Sequence, residues 1–577
     1  MDLRSGFTSL FTNQQNKAKG EQDAPKEGIA SELEDELTLK MDDKQLVAKA
    51  TQWRQEFDNY KTKINYTART KKLKEYWKGK QYGQGTRRDI KDNLIFENLE
   101  LLLPIMTRQN PEPTCYMADG LEERDIADNI RDMIVYQTDR LSIRLKVKQN
   151  ARNWSLGLIG CLKVAWDMIE DDITVKVVNP KRLILDPDGY IDSGRFYGRY
   201  IGELKTIDAE TAKERFPNAA QYIDQLVKNK TGTQITYTEW WTPEYVFYTL
   251  DKKVLYKSKN PHWNYQDEVE KVDQYGNTFS TTVKKNHFMT PQMPYTFLSV
   301  FSLQEQPHDE TTLIEQVLGL QDTLNKRMRQ IDKNIDGMNN SVVFAGGISK
   351  EEATEAKAAL DNGDAIHFDI DDIRRAFMRD SAPPLPAQVY NTVEDYRNEM
   401  RNIMGTRGSS PQGIMNEQTL GGKIAIRGQD VDRVSLIVDH IEQQVDYMFN
   451  WFVQMFYVYY TEAKVASIVG NNGAVQYSKI SNKDLFDRKV TVSVKEGSLI
   501  PKDTLTLANQ AIDLYGAGAM DLISLYEALD YPDPEESAKR AFKHINMPQE
   551  LYAEKEPLVQ GQQPVQEQPP NPLEGII

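Results

Sequence analysis

From Thr311 onward the apolar positions of this chain fall into a register that a helix satisfies. Leu313, Val317, Leu320, Leu324, Met328, Ile331 and Ile335 recur at intervals of 4, 3, 4, 4, 3 and 4. One stripe over about 25 residues, at about 1.5 Å per residue, predicts a rod of roughly 35 Å. A second stripe follows after "SAPPLP", with Val389, Val393, Tyr396, Met400 and Ile403 on one face. A third helical pattern runs from Gly422 to Tyr460 and reaches close to 60 Å at the same rise. Between the first two rods lies a small α+β unit. In it "SVVFAG" reads as a strand, Ser349 and Glu352 as a capping box, "DNGD" as a helix stop and "AIHF" as a second strand. A core of that size cannot bury both stripes, so neighbouring copies of the chain are their expected partner.

Upstream the period changes. "CLKVAWD", "DITVKVV", "GRFYGRYIGEL", "TQITYTEWW", "YVFYTL", "KVLYKS" and "TFSTTVKK" alternate as half-buried strands do, separated by turn signals such as "DPDG" and "YGN". Residues 155–302 are therefore expected to be rich in antiparallel strands. Before them, helical patterns run from Asp43 to Trp77, from Asn93 to Gln109, where "NPEP" stops the helix, and from Leu121 to Trp154. After the third rod come a strand in "KVTVSVKEGS" and helical segments from Lys502 to His544. Residues 1–41, with the acidic run "SELEDEL", and the Gln/Pro-rich stretch from Gln562 to Pro572 read as disordered tails. The fold class is α+β and mainly helical.

Composition narrows the function. The formal net charge of −15 argues against tight nucleic-acid binding over the whole surface, because that binding is driven by counterion release onto basic residues. Between Lys61 and Lys91 eleven Lys/Arg face only Glu75 and Asp89; a solvated helix face and an acidic-partner patch both fit that stretch. Two cysteines, Cys115 and Cys161, show no C-x-x-C spacing, which suits a reducing compartment. The first twenty residues lack an apolar core. The most apolar run, Val445 to Tyr460, is too short to span a bilayer and is broken by Asp446, Asn450 and Gln454.

Catalytic motifs are missing from the sequence. The six histidines, His262, His287, His308, His367, His440 and His544, are scattered with no H-x-x-x-H spacing, so no metal and no cofactor is expected. "DPDGYIDSGRF" departs from a calcium loop, since Gly189 stands at position four and Tyr197 at position twelve. No G-x-S-x-G occurs. Between the second and third rods, "MGTRGSSPQGIMNEQTLGGKIAIRG" holds six glycines, but Glu417 lies five residues before Gly422 and Ile424 follows Lys423, so both ends of a P-loop are missing. A plain connector and a mobile working loop remain as readings of this stretch.

The order of these elements, with these residues, resembles the portal proteins of tailed double-stranded DNA bacteriophages. The similarity is carried by "EYWKGKQYG", "NLIFENLELLLPIMTRQNPEP", "VVNPKRLILDPDGYIDSGRFYGRYIGELKTIDAETAKERFP", "TYTEWWT", "HDETTLIEQVLGLQDTLNKRMRQIDKN", "GTRGSSPQGIMNEQTLGGKIA" and "DRKVTVSVKEGSLIPKDT". It spans roughly residues 50–545, as a succession of short motifs in order.

The resemblance implies a subunit of a dodecameric ring built from wing, stem, clip and crown. On that scheme 1–42 is a tail, 43–310 the wing, 311–337 the first stem helix, 338–386 the clip and 387–404 the second stem helix. Residues 405–421 form the tunnel loop, 422–500 a long wing helix with a β segment, 501–548 the crown helices and 549–577 a second tail. The stripe residues Leu313, Val317, Leu320, Leu324, Met328, Ile331, Ile335, Val389, Tyr396, Met400 and Ile403 become stem packing. Thr406, Arg407, Ser409, Ser410, Gln412, Asn416 and Gln418 become the DNA-facing loop. Lys326, Arg327, Arg329 and Lys333 either touch phosphates on the channel face or pair with Asp322, Asp332 and Asp336.

The partners so implied are further copies of the chain, the duplex in the channel, the terminase large subunit, head–tail adaptor and tail proteins, and major capsid and scaffolding proteins. The location implied is the portal vertex of the virion after assembly in the host cytoplasm. Two rival readings stand beside it: a nucleic-acid-handling enzyme, and a head–tail adaptor or membrane-associated structural protein suggested by the aromatic "MFNWFVQMFYVYY".

Overall fold

The fold is described from a computed structural model covering residues 41–81, 92–107, 109–117, 124–228, 233–262, 266–272, 278–284, 287–288, 290–340, 342–344, 348–362, 364, 367, 377–379, 385–407, 420–460, 464–469, 475–481, 485, 490–495, 504–529 and 534–546. Its elements, in chain order, are α1 (Asp43–Lys63), α2 (Tyr66–Trp77), α3 (Leu94–Met106), β1 (Pro113–Met117), α4 (Arg124–Arg140), α5 (Ile143–Gly157), β2 (Gly160–Asp167), β3 (Asp172–Val177), β4 (Leu183–Leu185), β5 (Tyr190–Asp192) and β6 (Arg195–Tyr197). There follow β7 (Ile201–Asp208), α6 (Ala209–Arg215), α7 (Ala220–Lys228), β8 (Gln234–Trp241), β9 (Tyr245–Leu250), β10 (Lys253–Lys259), β11 (Gln266–Val272), β12 (Thr278–Lys284) and β13 (Tyr295–Leu298). The second half holds α8 (Leu313–Asn340), β14 (Val342–Phe344), α9 (Lys350–Asn362), β15 (Phe377–Arg379), α10 (Ala387–Met404), α11 (Leu420–Tyr459), β16 (Lys464–Val469), β17 (Val475–Ile480) and β18 (Val490–Val494), then α12 (Thr504–Gly516), α13 (Leu522–Ala528) and α14 (Pro534–Asn546). The chain divides into a first unit of residues 1–466 with 478–501 and a second of residues 467–477 with 502–577.

The core of the first unit is built on a five-stranded antiparallel sheet of order β10-β9-β8-β7-β4. Helix α1 covers it with Leu46, Ala50, Trp53, Phe57 and Tyr60, spaced 4, 3, 4 and 3 apart and all buried. Trp53 stacks on Tyr200 with ring centroids 4.4 Å apart, and each such aromatic contributes on the order of 1.5–3 kcal/mol by leaving water. A three-stranded sheet, β13-β2-β3, joins the same hydrophobic cluster.

Charges tie the two sheets together. Glu203 on β7 and Glu239 on β8 lie directly opposite each other, a like-charge pairing that would destabilise a sheet. Lys163, from β2, reaches both carboxylates, 3.3 Å from Glu203. Lys205 pairs with Glu239 as well, and Tyr295 donates to Glu203 at 3.0 Å. Burial alone would raise the Glu239 carboxyl, but the two lysines hold it well below its ordinary value, so it stays ionised.

Several expected elements break where the backbone turns left-handed. The pattern from Asp43 to Trp77 is two helices, separated at Asn65 with φ 51°. That from Leu121 to Trp154 is also two, separated at Ser142 with φ 51°. The stripe continues across both breaks because the flanking helices bury the same side.

Helix α11 is 40 residues long. From Val445 to Phe456 it is buried almost all round, with Met448, Phe449, Trp451, Phe452 and Phe456 inaccessible to solvent. The aromatic run that suggested a membrane surface is thus covered by its own chain. Among the described residues no helix is long and apolar enough to cross a membrane.

In the small unit between α8 and α10 the capping box is present: the Glu352 backbone N–H donates to Ser349 Oγ at 3.2 Å and the Ser349 N–H to Glu352 Oε2 at 3.0 Å. The strand partner differs from expectation. β14 pairs with β15, Val343 opposite Met378; of "AIHF" only His367 is among the described residues, and it lies outside any strand. Strands β1 and β18, separated by more than 370 residues, pair antiparallel with Cys115 opposite Val492. Strands β16 and β17 pair with each other. In the second unit three helices follow one another, with α13 packed on α12 and α14.

Candidate channel-facing site

The two rods, α8 and α10, pack on each other, and both are fastened to the short segment that opens α3. Asp92 is the shared joint. Its backbone N–H donates to Asn325 Oδ1 at 3.2 Å, its carbonyl accepts from Gln321 Nε2 at 2.6 Å, and its carboxylate takes Arg397 Nε at 2.7 Å. Glu97 pairs with Arg401 at 3.4 Å, and Asn98 accepts the Thr406 hydroxyl at 2.9 Å. Lower on α8, Arg69 holds Glu315 through two bonds of 3.0 and 2.8 Å, and Tyr76 donates to Asp322. Residues 315–325 of α8 and 397–406 of α10 therefore meet the same anchor, so the rods run antiparallel and carry residues 341–386 at their other end.

Burial follows this geometry. Val317, Leu324, Val393, Met400 and Met404 are buried by the chain's own helices, which corrects the expectation that neighbouring copies must cover the stripes at the anchored end. Leu313, Leu320, Met328, Ile331, Val389, Tyr396 and Ile403 are half-buried, and toward the far end Ile335 is 46% exposed and Tyr390 48%.

Opposite the α8 stripe, at spacings of three and four, lie Lys326, Arg329 and Lys333. The two lysines are exposed and Arg329 is half-buried, its Nε donating to the Asn325 carbonyl at 3.1 Å. Arg327 sits a quarter turn away and donates to Gln330 at 2.8 Å. Asp322, one of the carboxylates considered as a partner for these cations, is occupied by Tyr76.

Helix α10 ends at Gly405, whose φ of 67° supplies the left-handed C-cap. Thr406 is fully buried against Asn98. It cannot face a duplex, so it leaves the expected DNA-facing set and becomes the anchor of the loop. Arg407 is exposed. Ser409, Ser410, Gln412, Asn416 and Gln418 lie outside the described residues.

The remaining chemistry is structural. Asp186, in the calcium-like turn, accepts Arg199 through its backbone N–H at 2.8 Å, through Nε at 2.8 Å and through the guanidinium terminus at 2.6 Å. Burial pushes that carboxyl up, and the Arg199 hydrogen bonds outweigh it and hold it low. Among the described residues no group of three His, Cys, Asp or Glu is arranged to hold a metal ion. Sequence reasoning missed Asp92, because a lone Asp before a helix reads as an ordinary cap.

The profile of the phage P22-like portal protein family matches residues 47–574. No curated protein matches the chain. The match runs through the anchor, both rods and the segment between them, and by it the chain belongs to the phage P22-like portal protein family.

Proposed function

We propose that copies of this portal protein close into a ring, most simply of twelve, with α8 and α10 as the stem around a central channel and residues 338–386 as the clip. Residues 43–310 with 422–500 form the wing and 501–548 the crown. Double-stranded DNA passes through the channel in packaging and ejection, with Arg407 and the loop it opens at its narrowest part. The terminase large subunit docks during packaging, adaptor and tail proteins later, and capsid and scaffolding proteins surround the vertex of the virion assembled in the host cytoplasm.

The observation that carries this reading is the projecting rod pair. It is firmly held at Asp92 yet leaves Ile335 and Tyr390 exposed at the far end, a surface that a sister copy would cover. The basic line of Lys326, Arg329 and Lys333 on the opposite face suits brief phosphate contacts. Twelve copies at −15 give about −180 formally, which keeps the whole from gripping DNA. Native mass spectrometry with negative-stain microscopy tests it: particles near twelve chain masses with a central hole are expected, and a chain that stays monomeric at high concentration would refute it.

A further inference from the structure

A cleft of about 370 Å3 opens between the β5–β6 hairpin, helix α11, strand β18 and the segment at His287. It contains a cation short of an acceptor. Arg195 Nε is buried and has no hydrogen-bond partner. Its guanidinium lies 4.5 Å above the Tyr197 ring, which stacks on Tyr190 at 5.1 Å. Asp192 is the cross-strand neighbour of Arg195, yet it accepts from Ser193 at 3.2 Å and Gln304 at 3.4 Å and forms no ion pair with Arg195 among the described residues. Phe288 and Tyr447 make an aromatic wall. Asn450 is already committed to His287 and to the Val492 carbonyl.

A buried N–H without an acceptor is costly, and a guanidinium fork is best matched by a carboxylate. Asp192 at the rim and the net charge of −15 disfavour a polyanionic phosphate backbone. What fits is a single carboxylate on an extended segment, with a backbone N–H for Asp192 and an apolar neighbour for Phe288 and Tyr447.

We propose that this cleft receives the acidic segment Ser31–Leu37, "SELEDEL", of a neighbouring copy. Four acids and two leucines in seven residues supply both the carboxylate and the apolar side chain. The segment's own body is poorly placed to use it. From Leu37 to Met41 the chain spans at most about 14 Å, whereas α1 runs about 20 Å from Asp43 to Glu56, where it meets Arg199, four residues beyond Arg195. A copy brought alongside is the remaining donor, so the inference rests on the ring reading. Its consequence is a strap that couples each subunit to the next away from the stem.

Cysteine cross-linking of the full-length chain tests it. Leu33→Cys and Thr491→Cys, in separate chains mixed before assembly, place one thiol on the segment and one at the cleft. Both native thiols, Cys115 and Cys161, are largely buried, and the unsubstituted chain gives the background. A disulfide-linked pair of chains is expected, reduced at least tenfold by Arg195→Ala in the cleft chain or by E32Q, E34Q, D35N and E36Q together in the segment chain. Rings seen by microscopy without the cross-link would overturn the strap while the ring stands; absence of rings and of cross-link would remove both. A cross-link indifferent to Arg195→Ala, or formed only within one chain, would also overturn it. So would one displaced by short duplex DNA in 0.15 M salt, which would give the cleft to phosphate.

Discussion

Single residues set how this protein answers to acid. His308 is fully buried among Phe57, Tyr60 and Tyr66, and burial, aided by Lys61 and Arg69, holds its pKa down at about 3. Burial does the same to His262, also to about 3. Both titrate near 6.5 once unfolded. Below that pH the unfolded chain binds two protons that the fold refuses, so stability falls as pH drops from 6.5 toward 3. Glu239 acts in the same direction at lower pH, since its depressed carboxyl loses its contribution as pH falls below about 4.5. Glu310, raised by burial, opposes them weakly. The two histidines together should lower the unfolding free energy by about 4 kcal/mol between pH 7 and pH 5, read from urea curves followed by tryptophan fluorescence. His308→Phe should remove about half of that difference, whatever it does to stability at pH 7; an unchanged difference would show that His308 is not the neutral buried group described. None of this was legible in sequence. Glu203, Lys205 and Glu239 occupy alternate positions of their strands and read as a solvated face, but a second sheet lies across them. By contrast Ser349 and Glu352 were legible, because a capping box is a contact between residues three apart.

At the scale of elements the same contrast decides what could be foreseen. Amphipathic helices and alternating strands depend on neighbours in sequence, and their bounds emerged nearly as expected: α10 spans Ala387–Met404. Pairings between distant segments did not. β1 was missed because "PTCYM" is short and follows a proline turn, and its partner β18 is almost at the other end of the unit. The β16–β17 hairpin was missed although "GNNG" stands between its strands, a turn signal that would have found it. The rods give the sharpest test, since their two ends have different partners. Leu324 is fully buried within the chain, so Leu324→Ala should cost about 2–5 kcal/mol even in an unassembled subunit. Ile335, 46% exposed, should behave as a surface residue there: Ile335→Ala is expected to change subunit stability by less than about 0.5 kcal/mol. In sedimentation velocity, however, Ile335→Ala should shift material from ring to subunit. A loss of subunit stability equal for both substitutions would mean that the far end is packed by its own chain.

For the whole molecule, charge and shape pull in opposite senses. A body of net charge −15 repels a duplex, while each rod offers three cations in line and the loop begins with an exposed Arg407. If those cations meet phosphates, binding of DNA to assembled rings must weaken with salt by about 0.9 in log K per log unit for each phosphate neutralised. The acidic background should keep affinity near the non-specific range of roughly 10⁻⁴–10⁻⁶ M at physiological salt. Fluorescence anisotropy of a labelled duplex from 50 to 200 mM salt gives the slope. Replacing Lys326, Arg329 and Lys333 together by alanine should flatten it, because the phosphates these side chains neutralise are the ones whose counterions are released. Arg407→Ala should flatten it further, since the loop lies beyond the helix face. If the triple substitution leaves the slope unchanged, these cations pair with acids such as Asp332 on their own or a sister rod. The rods would then be held apart from the DNA by a face already neutralised, and the channel would guide its cargo by repulsion alone.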